Sequence, residues 1–276
     1  MDFENVLTLI QKELRDAFRN RWFLLYAIAF AGLSLALAWF SVSGAGGFGV
    51  AGFGRTTAGL INLILLIVPL MGLTLGALSL AGEREKGTLV YLLAQPISSA
   101  ELLLGKFIGL ALALAAALII GFGLTGILIV LVGGGGDFRI YLTLLVLSVI
   151  LAIATLSVGF LISAAVKKAA TAVGLALFLW LILVYFGDLG LMGTAVVMQL
   201  DVEQLLALAL VNPLQVFKIA AVLDLRDNLE VLGPAGIFAY RTYGGTLWPL
   251  LVGLLFTWVI VPFILATQVF KKRGVL

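Results

Sequence analysis

Ionisable and nucleophilic side chains are where chemistry would begin, and two kinds are missing. The 276 residues hold no cysteine and no histidine. Disulfide frameworks, thiolate or imidazole metal sites and Ser-His or Cys-His nucleophile pairs are thereby excluded. Gly121, Gly123 and Gly126 match the spacing G-x-G-x-x-G, but no strand precedes them and they lie inside an apolar run. Like Gly72 and Gly76, they read as small residues that let helices approach closely. Gly105-Lys106 lacks the upstream glycine of a P-loop and is followed by Phe107, so the chain has no ATP loop of its own. Thioethers ligate Cu(I), yet besides Met1 only Met71, Met192 and Met198 occur, too few for a copper site. The expectation is no catalytic residue, no metal and no cofactor held by this chain.

What remains is a polar island at 82–106, the densest charged segment between the two ends. Glu83, Arg84, Glu85 and Lys86 mix both signs and can make paired contacts with a protein. Gly87 follows, and Thr88 to Leu93, with Leu89 and Leu92, offers a short apolar face that Pro96 breaks. Ser98-x-x-Glu101 is a capping box that opens a further helix. The spacing predicts a short helix joined stiffly to two membrane helices, through which another protein can push.

The elements that position it are apolar. Hydrophobic residues make up 63% of the chain and charged ones 11%, with a mean hydropathy of +1.21; soluble domains carry roughly 25% charge. Six charge-free runs follow one another at 22–43, 60–80, 107–132, 140–166, 169–186 and 247–270. About 20 residues cross a bilayer, which all but the fifth run clear comfortably, and the fifth is expected to continue through Gly187 and Asp188 toward Met192, outside the membrane. Residues 1–21 carry Phe3, Val6, Leu7, Ile10, Leu14 and Phe18 at helical spacing, with Lys12, Arg15, Arg19 and Arg21 on the polar side and Trp22 next. This predicts an amphipathic helix on the membrane surface, too long and too acidic at its start for a cleaved signal. The fold class is all-α integral membrane, six transmembrane helices plus that interfacial helix. Proton relays and voltage sensors place ionisable groups inside the bilayer, so charge-free spans point to a driving force from another polypeptide.

Orientation follows the cations. With six spans, the termini and the loops at 82–106 and 167–168 share a side holding 12 of the 17 Lys and Arg, which predicts that side to be cytoplasmic. The opposite segment at 187–246 is no simple connector. Asp201 with Gln204 and Asn212 with Pro213 are N-cap signatures, and the helices they open carry Leu205, Leu206 and Phe217. They are expected to pack on the mouth of the bundle or on a partner outside. Met192, Met198, Leu205, Leu206, Asn212, Pro213 and Phe217 are the candidate docking residues.

The string from Gly82 to Leu89, with Pro96-Ile97-Ser98 and Leu104-Gly105-Lys106-Phe107, resembles the coupling segment of ABC-2 type permeases, the membrane subunits of one class of ABC transporter. The likeness covers essentially the whole chain, a type V exporter-like permease fold. It implies a homodimer in a prokaryotic plasma or inner membrane, with lipid and no nucleic acid as partner. Each copy would seat its coupling helix in a separate cytoplasmic ATPase that holds ATP and Mg. Residues 12–22, 212–217, 233–236 and 258–262 further resemble the permeases that mature the copper-sulfur site of nitrous oxide reductase. That resemblance implies an additional periplasmic partner. Alternatives are an exporter of lipid, drug or other hydrophobic cargo, or a mechanotransmitting scaffold that moves no solute.

Overall fold

Backbone groups in hydrocarbon must find partners within their own segment, so apolar runs of this length fold as helices. In the computed structural model, which describes residues 3–43, 50–131, 138–190, 193, 201–224 and 233–273, every regular element is helical. The elements are α1 (Phe3–Arg19), α2 (Arg21–Ser43), α3 (Val50–Glu85), α4 (Thr88–Leu93), α5 (Ser99–Leu131), α6 (Phe138–Ala165), α7 (Ala169–Tyr185), α8 (Val202–Val211), α9 (Pro213–Asp224), α10 (Gly233–Tyr243) and α11 (Leu247–Arg273). A π turn, Phe186–Gly190, follows α7, and a 3-10 turn, Gly244–Thr246, joins α10 to α11.

Several helix bounds differ from the sequence reading. The 36 residues of α3 begin at Val50 rather than 60 and run on to Glu85, because nothing forces an end before Gly87. The first three charges of the island are therefore the last turn of a membrane helix. From its capping box at Ser98 and Glu101, α5 runs 33 residues and takes in Lys106. α7 has only 17 residues, or about 26 Å of a ~30 Å hydrocarbon core, and the π turn carries it on through Gly187 and Asp188 as expected. α10, the 3-10 turn and α11 make one apolar rod, Gly236–Lys272, so the last span starts well before 247.

The centre of the bundle is the pair α3 and α6, flanked by α11 on α6, by α7 and α2 on α3, and by α5, which also carries α1 and α2. Glycine decides how close α3 and α6 come. A Cβ on Gly76 would strike the carbonyl oxygen of Leu156, and one on Gly159 the carbonyl oxygen of Leu73, so backbone lies against backbone there. A Cβ on Gly72 would strike the Thr155 hydroxyl and come within 2.7 Å of the Ala152 carbonyl oxygen. Gly121, from the apparent nucleotide spacing, packs under Phe30 of α2, where a Cβ would come within 2.8 Å of Cδ1.

At the end away from the island, α8 and α9 meet at 111°, a bend that returns the chain toward the side it came from. Both N-cap signatures hold: Asp201 and Gln204 form a capping box, and the Asn212 side chain accepts from the Leu214 amide at 2.9 Å. Asn212 Nδ2 also donates to the Leu183 carbonyl at 2.7 Å, pinning this corner to α7. Beyond it α9 sinks among α3, α6 and α11, with Phe217 fully buried.

The α3–α6 contact sets the first expectation. Gly76→Val or Gly159→Val adds a three-carbon isopropyl group where no Cβ fits, which costs about 1–3 kcal/mol or more. A clear drop in the thermal midpoint of the detergent-solubilised chain checks this, with Gly123→Ala, whose Cβ meets nothing within 4 Å, unchanged.

Candidate functional site

The island folds as a corner. Gly87 adopts φ 74, the left-handed region where a side chain is strained, and turns the chain from α3 into α4. The Gly87 amide donates to the Arg84 carbonyl at 3.1 Å and the Thr88 hydroxyl to the Glu83 carbonyl at 3.2 Å, so the turn is closed from both sides. Leu89 is wholly buried and anchors α4, with Leu92 and Leu93 packed partly against the core. After α4, Ile97 donates to the Gln95 carbonyl across Pro96 at 2.7 Å, and the Ser98–Glu101 box starts α5.

The charges divide by direction. Glu83 points into the protein: its Oε1 accepts from Lys106 Nζ at 2.8 Å and from Lys12 Nζ at 3.4 Å. Lys106 is 1% exposed and also donates to Glu13 of α1 at 2.6 Å. Lys12 reaches Glu13 at 2.9 Å and Asp16 at 3.3 Å, closing a network across α1, α3 and α5. Burial pulls the Lys12 pKa down, but the ion pair and hydrogen bond with Glu13, with Glu83 and Asp16 behind, outweigh it and hold the amine above the ordinary lysine range. With its pKa raised, Lys12 contributes fully below the ordinary lysine value of 10.5, and that contribution goes only as pH rises through the higher folded value.

Arg84 and Glu85 face the α6–α7 junction. Arg84 Nη1 donates to the Val166 carbonyl at 2.6 Å and toward the Ser163 carbonyl at 3.4 Å, covering the C-terminal end of α6. Glu85 Oε2 accepts from the Ala169 amide at 2.7 Å at the start of α7. The Ser163 hydroxyl enters the α3 ladder itself, accepting from the Leu80 and Ala81 amides at 2.9 and 2.8 Å and donating to the Ala77 carbonyl at 2.7 Å.

Of the residues expected to face a partner, Glu83 and Arg84 are thus spent inside the chain, while Lys86, Thr88 and Pro96 are exposed. Val90 and Tyr91, at 56% and 77% exposure, form the outward face of α4, followed by the exposed Ala94 and Gln95; Val90 and Tyr91 both lie in the 88–93 stretch read as an apolar face, though neither was singled out there. Period 3.6 from the buried Leu89 would have placed Val90 and Tyr91 on the outside. Glu13 and Lys106 were also missed. Glu13 falls four residues after Leu9 and seven after Val6, both buried, so its place on the packed face was readable.

At the opposite end, Leu206, Pro213 and Phe217 are buried in the chain's own bundle, Leu205 and Asn212 are half-buried, and Met192 and Met198 lie outside the described residues. The docking expectation at 206, 213 and 217 is corrected by this packing: those faces are occupied already. Among the described residues no group of three metal-ligating side chains converges.

A family profile described as ABC-2 family transporter protein matches residues 7–275. The chain belongs to that family. It is 31% identical over 275 residues to the protein named "Probable ABC transporter permease protein NosY" of Stutzerimonas stutzeri, covering 97% of this chain and 98% of that one. A protein of the same name in Pseudomonas aeruginosa is 33% identical over 272 residues, covering 90% and 97%. The ABC-2 match spans α1 as well as the six apolar helices, so the interfacial helix and its ion network fall within the family region. With several helices able to cross a bilayer, this ABC-2 member is a multi-pass membrane protein.

The network makes a sharp comparison possible. Lys106→Met leaves Glu13 and Glu83 with only the half-exposed Lys12 as a cation and is expected to cost about 3 kcal/mol, the low end of a broken buried pair, whereas removing all three charges in Lys106→Met/Glu13→Gln/Glu83→Gln should lie near neutral. Thermal melts of the two purified variants check this; equal midpoints would mean that the pairs carry no weight.

Proposed function

We propose that the chain is the membrane-spanning permease subunit of an ABC transporter and that the outward face of α4 is where a separate ATPase engages it. The observation that carries the reading is the exposed Val90–Tyr91 edge of a helix whose other side is fixed to the bundle by Leu89. Tyrosine supplies a large, rigid contact with a polar tip, a side chain favoured at protein interfaces. ATP and Mg sit on the partner, and this chain converts the partner's closure into movement of its spans.

Similarity to the NosY permeases supports a narrower assignment. In it the chain works as a homodimer in a bacterial or archaeal plasma or inner membrane, both termini cytoplasmic, with a NosF-like ATPase below and a NosD-like periplasmic partner above. The complex serves maturation of the copper-sulfur site of nitrous oxide reductase. In this reading metal handling belongs to partners, and this chain supplies motion. A second reading, export of a hydrophobic cargo, is favoured by an apolar cavity of about 480 Å³ between α5 and α6, near Phe122, Tyr141 and Leu145.

Tyr91→Asp tests the α4 assignment without touching the fold. Co-purification of an ABC ATPase with the tagged chain should fall at least about tenfold, the loss of one hot-spot residue, while the thermal midpoint of the chain stays as in the wild type. Full co-purification with Tyr91→Asp and with a Val90→Asp/Tyr91→Asp double variant would refute it.

A further inference from the structure

Beside the ion network lies a cavity of about 750 Å³, bounded by the α1–α2 corner, the last turns of α3, part of α5 and the start of α7. Its inner wall includes Leu75, Leu78 and Leu110, and its buried charges, Lys106 and Glu13, are paired with each other. The exposed rim alternates in sign: Arg19 and Lys86 are cations, Asp16 and Glu85 carboxylates. Among the described residues neither Arg19 nor Lys86 has an ion-pair partner. Trp22 stands at the same opening, 61% exposed, at the first turn of α2.

A cavity with this layout, at the level where membrane helices leave the hydrocarbon, fits an amphipathic occupant rather than water or a soluble anion. We propose that it binds the headgroup of an aminophospholipid. Its phosphate lies against Arg19 and Lys86, its primary ammonium against Asp16 and Glu85, and its chains run along Leu75 and Leu78. Basic pockets between membrane helices hold lipid headgroups, and Trp22 is the side chain favoured at that depth. The two rim carboxylates decide the class. With Lys12 on Asp16 at 3.3 Å counted, the cations Lys12, Arg19, Lys86 and Lys106 are balanced by Glu13, Asp16, Glu83 and Glu85, so a purely anionic headgroup gains no net attraction, whereas an ammonium with three N–H donors suits carboxylate acceptors and a quaternary choline has no donor to offer. This site stands whether or not α4 meets an ATPase.

Native mass spectrometry decides the matter on the full chain, released from vesicles holding equal phosphatidylethanolamine, phosphatidylglycerol and phosphatidylcholine with matched acyl chains. Phosphatidylethanolamine adducts should dominate, and Arg19→Gln or Lys86→Gln should each lower them about fivefold. Gly82 lines the cavity, and a Cβ there meets nothing within 4 Å, so Gly82→Leu puts bulk into the space and should abolish the adduct. Dominance of phosphatidylglycerol would overturn the headgroup assignment. Equal retention of all three lipids, or undiminished adduct in Arg19→Gln and Lys86→Gln, would overturn the site, and those two variants decide it even if Gly82→Leu does not fold.

Discussion

An amine taken out of water at the edge of a membrane is tolerable only if carboxylates come to it, and much of the island end follows from that requirement at Lys106. Desolvating an ammonium is offset only by close, well-aligned pairing. Glu13 at 2.6 Å and Glu83 at 2.8 Å supply it from two other helices. For Glu13 to reach, α1 must lie directly on α5, and glycines clear the way. A Cβ on Gly105 would sit 2.6 Å from the Leu9 Cβ, and one on Gly109 only 2.7 Å from the Glu13 Cβ. Bulk at either glycine would lift the carboxylate away from the amine. The interfacial helix is therefore locked in register with the start of α5 and the end of α3, beyond any anchoring of α2.

A second set of contacts binds the same end of α3 the other way. Arg84 covers the carbonyl end of α6, and Glu85 takes the first amide of α7. Each charge acts on backbone groups that a helix end leaves without partners, so each stabilises two helices at once. Successive residues on one turn thus face different neighbours: Glu83 toward α1 and α5, Arg84 and Glu85 toward α6 and α7. The four-residue run of charge is a junction of five helices, with its outward surface passed on to α4.

Much of this architecture was legible because lipid allows so few solutions. The apolar runs, the two N-caps in the far segment, the Ser98–Glu101 box and the close approaches at Gly72, Gly76 and Gly121 followed from length, spacing and residue type, whereas Gly123, grouped with them, meets nothing within 4 Å. What was not legible is direction. A Glu-Arg-Glu-Lys run reads the same whether it faces a partner or its own chain, and only the positions of Lys106 and Val166 settle that Glu83 and Arg84 turn inward. Helix ends were misplaced for a related reason: charge was taken as the end of a membrane helix, yet charges paired by neighbouring helices let α3 and α5 run on. The apolar face of α9 posed a similar ambiguity, since Phe217 suits a partner's groove as well as it suits the space between α3, α6 and α11.

These constraints also fix where a displacement of α4 can go. Leu89 and the closed Gly87 turn leave α4 little freedom of its own, so a force on it enters α3 and α5. Along α3 the force meets α6 where Gly72, Gly76 and Gly159 bring backbone against backbone, with no long side chains to absorb it by changing rotamer. α3 and α6 must then shift as a pair over this stretch. One place differs. The Ser163 hydroxyl gives and takes hydrogen bonds within the α3 ladder between Ala77 and Ala81, and a side chain inserted there is a recognised cause of helix bending. Because the hydroxyl can satisfy those amides as the turn opens, α3 can flex at that level without stranding a backbone group. This hydroxyl ties α6 to α3 between the charged junction and the glycine contact. α9 packs between that pair and α11 at the opposite end, so they share one packed unit.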